Sequence, residues 1–468
     1  MKCHLDEIAK NTMREKGLLP DFPPEAIKEA EMATLPNFEA EDLTHLQWCS
    51  IDNDDSQDLD QLTFAEGSTA YVAIADVSAT VQKNSSIDGY ASYNTTSVYT
   101  PELIFTMLPR RLCYDLTSLN PQQKRLAVVV KMTFDDAMEI ADYSIKLAWV
   151  INHAKLAYSK IGPMLEGKAP FNPPEFEKTL KEQHILAQKI KENRQKVGAL
   201  TLDSGETRAT VVDDEFVTIV KTPKNAAHEL IENFMIATNS TIAKHLRSVG
   251  IPSLRRVVKV PERWDKIVEI AREKKYALPS QPDAKALDKF LRIQKEKEPI
   301  TFPDLSLTII KLMGSGEYVV EIPGEEPLGH FGLAIRNYTH STAPNRRFPD
   351  VITQRQLVSW LKKEPNPYNL SELQELAIHC TNQEDQAQRV ERHVKKSAAA
   401  CLMHNEIGNT FKGIVTGASF KGTWIRLFNP PVDGKIVQNF KHLDVGDEIE
   451  VKLLAVDVEK GFIDFAKI

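Results

Sequence analysis

Apolar residues recur along this chain at two spacings, and each change of spacing marks a change of architecture. Residues 1 to about 40 carry short helical patterns broken at Pro20, Pro23, Pro24 and Pro36, too little for a domain. From Trp48 short runs dense in Val, Ile and aromatics take over, clearest in 70-AYVAIADVS-78 and 126-LAVVVKMTF-134, which predict strands. Helical spacing follows in 146-KLAWVINHAKLAYSK-160, 177-EKTLKEQHILAQKIKENRQKVG-198 and 226-AAHELIENFMIATNSTIAKHLRSVG-250. In the last of these, Ala227, Leu230, Ile231, Phe234 and Ala237 make one apolar face, and Gly250 supplies a stop. Residues 272–305, rich in Lys, Pro and charge, predict a helix between loops or an insertion over a core. Helices over 349–362 and 370–405 precede the final change. From Gly408 short strands alternate with Gly, Pro and Asp turns, the pattern of a small β-barrel of about 60 residues.

Length and composition sharpen this picture. A chain of 468 residues exceeds one small core, so two or three domains are expected. The 42% hydrophobic and 26% charged fractions are those of a soluble globular protein, and no apolar run reaches the roughly 18 residues of a membrane span. The opening MKCHLDEIAKNTMREKG has neither the apolar centre nor the end of a secretory signal. Five cysteines without a CxxC pair point to reduced thiols, and a cytoplasmic location is expected.

The net charge of −7 gives nucleic-acid binding no support, but the charges are patterned. Residues 41–66 hold eight acids and no Lys or Arg, whereas 336–363 hold Arg336, Arg346, Arg347, Arg355, Lys362 and Lys363. Separate acidic and basic foci suit an enzyme that holds cations and a polyanion together; ordinary surface variation accounts for them equally well.

The densest acidic stretch is 51-IDNDDSQDLDQL-62. In an extended segment Asp58 and Asp60 share one side and Leu59 faces the other, while Asp52, Asp54 and Asp55 lie in a preceding loop able to fold back over them. Hard cations such as Mg²⁺ take oxygen ligands, and phosphoryl transfer to water is helped by two of them held close together. The alternative is a solvated acidic loop. Its tight threading between the core-like runs around Trp48 and Tyr71 favours the metal centre, and the closing Glu and central Gly of a calcium loop are absent.

The segment 48-WCSIDNDDSQDLDQL-62 resembles the catalytic signature of the ribonuclease II / ribonuclease R family of 3′-to-5′ exoribonucleases. The resemblance places Asp52, Asp58 and Asp60 on three of the family's four acids and puts Gln61 at the fourth, where a carboxylate normally binds metal. A glutamine oxygen coordinates weakly and adds no charge, so Asp55, or failing it Asp54, is the expected substitute. The stretch 88-DGYASYNTTSVYTPELIFTMLPRRLCYDLTSL-119 is similar to the segment shaping the catalytic end of the RNA channel, with Tyr99 at the position that stacks on a terminal base. Residues 228–239 resemble the buried helix beside the site, where His228 is expected to be structural. In 330-HFGLAIRNYTHSTAPNRRFPD-350, Arg346 falls on the arginine that clamps the scissile phosphate. Asn345, Phe348 and Gln354 depart there from the family pattern. The stretch 389-RVERHVKKSAAACLMHN-405 resembles the helix carrying a glutamate near the terminal nucleotide, which is Glu391, with Lys395 and Lys396 read as solvated charges. The terminal barrel is similar to an S1 domain, with Phe411, Phe420 and Trp424 as candidate stacking aromatics.

The implied fold is α+β: a 1–43 helical extension, a 44–405 RNB catalytic domain of mixed sheet and surrounding helices, and a 406–468 S1 domain of the OB fold. The implied activity is hydrolytic trimming of single-stranded RNA from a free 3′ end to nucleoside 5′-monophosphates, with two Mg²⁺ ions (Mn²⁺ able to substitute), by a monomer with no membrane partner. The catalytic set is Asp52, Asp58, Asp60 and Arg346, the metal set adds Asp55, and the RNA contacts are Tyr99, Arg346, Glu391 and Trp424. The family's cold-shock domains have no counterpart in the sequence, which implies a weaker grip on long single strands, or a partner or substrate that supplies positioning. Because of Gln61, the competing expectation is an RNA-binding or scaffold protein of this fold with impaired catalysis; a DNA-directed nuclease is a third reading.

Overall fold

The computed structural model describes residues 4–203, 207–212, 216–221, 224–419 and 422–468. Two helices, α1 (Leu5–Glu15) and α2 (Pro24–Met32), open the chain. Strands β1 (Glu41–Asp42), β2 (Cys49–Asp52), β3 (Gln61–Glu66) and β4 (Thr69–Ala75) follow, then α3 (Ser86–Asn94) and the hairpin β5 (Val98–Tyr99) and β6 (Ile104–Phe105). The long strands β7 (Lys124–Phe134) and β8 (Ile140–Ile151) and the short β9 (Ala154–Ala157) complete one seven-stranded sheet in the order β1-β8-β7-β4-β3-β2-β9. Its inner neighbours are antiparallel, and β1 and β9 add parallel edges.

The segment 146–160, given a helical reading above, is β8, β9 and the start of α4 (Tyr158–Leu165). Its apolar residues fit either spacing, and eleven residue pairs with β7 from Lys124↔Ile151 to Phe134↔Ile140 decide for strand. Helix α5 (Glu177–Val197) ends at Gly198, whose left-handed φ of 109° suits glycine at that position. The hairpin β10 (Thr207–Val212) and β11 (Phe216–Lys221) leads to α6 (Ala226–Ser248). The predicted face of α6 is buried, with Ala227, Leu230, Ile231, Phe234 and Ala237 packed on the sheet in the largest core cluster. Phe234→Ala should cost about 3–5 kcal/mol of unfolding free energy, read as a lower denaturant midpoint with unchanged slope.

Strand β12 (Ser253–Val257) precedes three helices, α7 (Trp264–Glu273), α8 (Ala284–Lys297) and α9 (Phe302–Met313). Within the Lys-rich stretch 272–305, α8 is the expected helix between loops, flanked by the end of α7 and the start of α9. The scattered apolar residues Leu287, Phe290, Leu291, Phe302 and Ile309 converge with Trp264 into a core of their own. After β13 (Glu317–Glu321), paired with β12, come α10 (Phe348–Leu361) and the long α11 (Leu370–Met403). Strands β14 (Thr410–Ser419), β15 (Gly422–Leu427), β16 (Asp433–Gln438), β17 (Glu448–Asp457) and β18 (Phe462–Lys467) close the expected barrel in the order β14-β15-β16-β18-β17.

Helix α1 binds the parts together. Leu5 joins the cluster shared by the barrel and the C-terminal end of α11, while Ala9 and Met13 pack with Val98, Phe105, Val390 and Val394. Among the described residues no helix is long and apolar enough to cross a membrane. Cys49, Cys113 and Cys380 are free and buried, whereas Cys401 is disulfide-bonded, against the all-reduced expectation. Pairing depends on which segments the fold brings together, and spacing along the chain does not report that.

Candidate active site

Asp52 ends β2 and Asp60 immediately precedes β3, so residues 53–60 form a loop at one end of the sheet. Its last part is held extended from the side: Leu59 N–H donates to Ser118 Oγ (3.0 Å), Leu119 N–H to Leu59 O (2.9 Å), and Ser118 Oγ–H to Gln57 O (2.8 Å). Leu59 is 2% exposed among Trp48, Leu62 and Leu119, which anchors it in the core. The pleat then turns Asp58 and Asp60 together to the opposite side.

Asp60 is buried; its Oδ1 accepts the Asn345 N–H (2.8 Å), and its Oδ2 accepts Arg346 Nε–H (3.3 Å). Burial pushes its carboxyl up to about 7, with Arg346 opposing and the neighbouring Asp58 charge adding. Asp58 is also raised, first by burial and then against the bond from Tyr99, whose hydroxyl donates to Asp58 Oδ2 (3.0 Å); Asp52 contributes a further like charge. Asp52 itself accepts from Asn53 N–H (2.7 Å) and Ser56 Oγ–H (2.9 Å) through Oδ1. Asp54 lies away in the exposed turn, taking a bond from Ser159 Oγ (2.6 Å), and Asp55 is exposed beside it. Gln61 opens β3, half-buried and paired with Ile74.

Two other segments close on this loop. The β5–β6 hairpin presents Tyr99, 40% exposed, whose N–H donates to Glu391 Oε1 on α11 (2.9 Å). Burial also raises the Glu391 carboxyl, the bond from Tyr99 opposing. The 345–347 loop is fastened to the same hairpin's approach, since Ser97 N–H (3.0 Å) and Thr96 Oγ–H (3.1 Å) both donate to Arg346 O. Tyr99 thus meets Asp58 and Arg346 meets Asp60, with Glu391 behind Tyr99 and Asp52 at the margin.

Among the described residues no three His, Cys, Asp or Glu side chains form a ready metal cage, so the four acids of the expected metal set are not gathered as one. Carboxylates brought together repel one another, and here the Arg346 guanidinium supplies the counter-charge to Asp60. The donor chemistry still suits a hard divalent cation: oxygen ligands only, on carboxylates whose ionised forms burial disfavours until positive charge arrives. One consequence is measurable. Asp60 holds its proton more tightly folded, near 7, than at its ordinary 3.8, so its stabilising contribution is full below the ordinary value and lost as pH rises through about 7. Chelator-treated protein should melt lower at about pH 8 than at about pH 5, by up to a few kcal/mol at about 1.4 per unit, and Mg²⁺ should restore the loss. A melting temperature that is flat with pH and indifferent to Mg²⁺ counts against a cation site at Asp60.

The basic focus divides: Arg355 is buried on Asp88 (2.7 Å) and Arg347 pairs with buried Asp350 (2.8 Å), whereas Arg336, Lys363 and Lys362, 4.6 Å from the Phe38 ring, are exposed, and Arg346 faces the acids. The departures from the family pattern have partners. Asn345 exchanges two bonds with Thr117, at 2.6 and 3.0 Å. Gln354 donates to Ala75 O (2.7 Å) and accepts Ser78 N–H (3.1 Å), using both ends of its amide. Phe348 is buried under the Arg355 guanidinium. His228 is structural as expected: it completes the Asn225 cap of α6 and stacks on Tyr158 at 4.0 Å. Lys395 and Lys396 are exposed.

On the barrel Trp424 is 37% exposed on β15, whereas Phe411 packs against the barrel core and Phe420 lies outside the described residues. Arg426 is committed to Asp304 (2.8 Å) and Asp433 (2.9 Å).

Sequence reasoning overlooked Ser118, which holds the acid segment straight, and Thr96 and Ser97, which fix the Arg346 backbone; lone hydroxyls carry no periodic signal. It also overlooked Tyr158, placed beside Asp52 by the Asp52↔Ala157 pairing of β2 and β9. The Arg347–Asp350 pair was open to detection from its i,i+3 spacing.

A mixed sheet ending in an acid loop, faced by an arginine and a tyrosine and followed by an OB barrel, defines a nuclease-like RNB architecture. The chain belongs to the RNB family: the RNB domain matches residues 40–363, and the RNase II-type exonuclease C-terminal S1 domain matches 409–468. It is 29% identical over 443 residues to ribonuclease R of Escherichia coli (strain K12), covering 86% of this chain and 53% of that protein. It is likewise 29% identical over 426 residues to ribonuclease R of Aquifex aeolicus (strain VF5), covering 84% and 59%. The chain thus spans little more than half the length of these curated relatives. Among solved structures it is similar to Mycoplasma genitalium RNase R in complex with ribose methylated single-stranded RNA (TM-score 0.89, 25% identity, 98% of this chain and 77% of that one). The fold is also that of yeast Ssd1, a pseudonuclease (TM-score 0.74, 16% identity, 96% and 57%).

Proposed function

We propose that the protein is a Mg²⁺-dependent 3′-to-5′ exoribonuclease that hydrolyses single-stranded RNA to nucleoside 5′-monophosphates, acting as a monomer on a free 3′ end. The observation that carries this reading is the convergence of Tyr99 on Asp58, Arg346 on Asp60 and Glu391 on Tyr99. The relatives named ribonuclease R and the RNA-bound structure of one of them support it. Asp52, Asp58 and Asp60, with Asp55 in place of the acid missing at Gln61, would hold two Mg²⁺ ions, whose chemistry is to activate water and stabilise the leaving oxygen. Arg346 then neutralises charge developing on the scissile phosphate. Tyr99 offers a ring face to the terminal base, and Glu391, through the Tyr99 amide, fixes where that ring stands. Trp424 offers a further stacking surface upstream, and 2′-hydroxyl contacts favour RNA over DNA.

The direct test is a single-stranded RNA with a free 3′ end, incubated with Mg²⁺ or with excess chelator, beside a DNA of the same sequence. Stepwise shortening of the RNA in Mg²⁺ alone is expected; binding without shortening overturns the reading. That outcome would favour an RNA-binding protein with a weakened centre, the alternative that Gln61 keeps alive, since the fold is shared with a pseudonuclease. Because Asp55 supplies the missing charge in this reading, Gln61→Asp should leave the Mg²⁺ concentration for half-maximal activity unchanged. A several-fold lower requirement would mean that neither Asp54 nor Asp55 supplies it.

A further inference from the structure

An open groove of about 440 Å³ lies beside the β5–β6 hairpin, lined by residues of α1, α2, α3 and β6. Its volume falls in the range of about 300–1,000 Å³ typical of small-molecule sites. Its interior is apolar and aromatic: Phe22, Ile27, Tyr90, Ile104 and Phe105 line it, with Phe22 and Tyr90 rings 4.1 Å apart. Tyr90 is held there by its hydroxyl, which donates to Leu19 O (2.9 Å). The polar lining is mainly cationic, with Lys10, Arg110 and Arg111 against the single carboxylate of Glu31. Arg111 is occupied, donating to Ala30 O (3.0 Å) and Ala33 O (3.2 Å) at the end of α2. Lys10 and Arg110 form no ion pair among the described residues.

Flat apolar walls beside cations that outnumber the one carboxylate, with Arg110 5.9 Å from the Tyr114 ring, match a planar aromatic group that bears an anion. A base stacks on Phe22 or Phe105, since any base offers a π face, and a phosphate meets Arg110 and Lys10. The geometry points to a nucleoside monophosphate site in this groove, coupled to the candidate active site through the hairpin. The coupling is direct in the backbone: β6 walls the groove, and Ile104 in β6 pairs in register with Tyr99 in β5. An occupant that fixes β6 therefore fixes the strand whose tyrosine reaches Asp58. The ligand class is that of the proposed product, so a feedback meaning rests on the proposed function; binding does not, because it needs neither Mg²⁺ nor RNA.

The test uses the full chain in chelator, with isoleucine methyl groups labelled for NMR and adenosine 5′-monophosphate as the probe. The Ile27 and Ile104 methyl signals should both shift with the nucleotide, and ribose 5-phosphate should leave them unmoved. Ile27→Trp, which fills the groove, should abolish the Ile104 shift, and Arg110→Glu should weaken the affinity at least about tenfold, roughly 1.4 kcal/mol. Asp60→Asn should leave binding intact. The proposal is overturned if the methyl signals do not move, if ribose 5-phosphate moves them equally, if Ile27→Trp retains the Ile104 shift, or if Asp60→Asn abolishes binding, which would place the nucleotide at the acid loop. RNA shortening that persists while the nucleotide fails to bind refutes this site and leaves the proposed function standing.

Discussion

Asp60→Asn is expected to abolish RNA hydrolysis, by about 10³-fold or more, equivalent to about 4 kcal/mol of barrier, while RNA binding and the fold survive. The asymmetry follows from where Asp60 sits. It is 1% exposed, yet one oxygen takes the Asn345 amide and the other the Arg346 guanidinium. An asparagine of the same shape still accepts from Asn345 N–H, but it then turns an N–H toward Arg346 Nε, donor against donor. The same change removes the charge a cation needs. Folding should not suffer, because burial already holds this carboxyl up to about 7, and a neutral amide escapes the cost of ionising there. The variant's chelator-treated melting temperature near neutral pH should equal or exceed that of the parent, and its pH slope should flatten. Wild-type cleavage rates would remove Asp60 from the chemistry, whereas loss of activity with loss of fold would make it a structural residue. Paired cleavage and melting measurements separate these outcomes.

The extent to which the sequence foretold this site depended on the kind of signal each part carries. The Asp58-Leu59-Asp60 alternation was readable because one apolar residue between two acids has a single solution beside a core, and Leu59 lies in that core. The face of α6 was readable from period alone, and the barrel strands from the Gly, Pro and Asp turns between them. The residues 146–160 were not, since Leu147, Ala148, Trp149 and Val150 suit a helix face as well as a strand, and β7 decided between them. Nor were the supports legible. Ser118, Thr96 and Ser97 act through main-chain bonds across 61, 250 and 249 positions of sequence, which no local spacing encodes. The acidic cluster as a whole read as more uniform than it is. Three of its members face Arg346 or each other, and Asp54 and Asp55 remain in the exposed turn.

Arg346→Ala should lower kcat by about 10²–10³-fold with a smaller change in KM, the expected signature of a group whose contact strengthens as charge develops on phosphate. Arg346 is held by three bonds, from Thr96 and Ser97 to its carbonyl and from its Nε to Asp60, while the side chain stays 42% exposed. One nitrogen is thus spent on orientation while the group remains accessible to a ligand. Because the backbone bonds do not depend on the side chain, the alanine variant should keep the hairpin, and Tyr99 with it, in place. Arg346→Lys is the sharper probe. Lysine keeps the charge but not the planar fork, so it can meet Asp60 or the phosphate and not both. Its activity should stay within about tenfold of the alanine variant. Recovery to the parent rate in Arg346→Lys would mean that charge alone suffices and that the Nε–Asp60 bond has no part in aiming the guanidinium. Equal loss of binding and turnover in both variants would move Arg346 from the reacting phosphate to general attraction of the strand, an effect that rising salt should then erase.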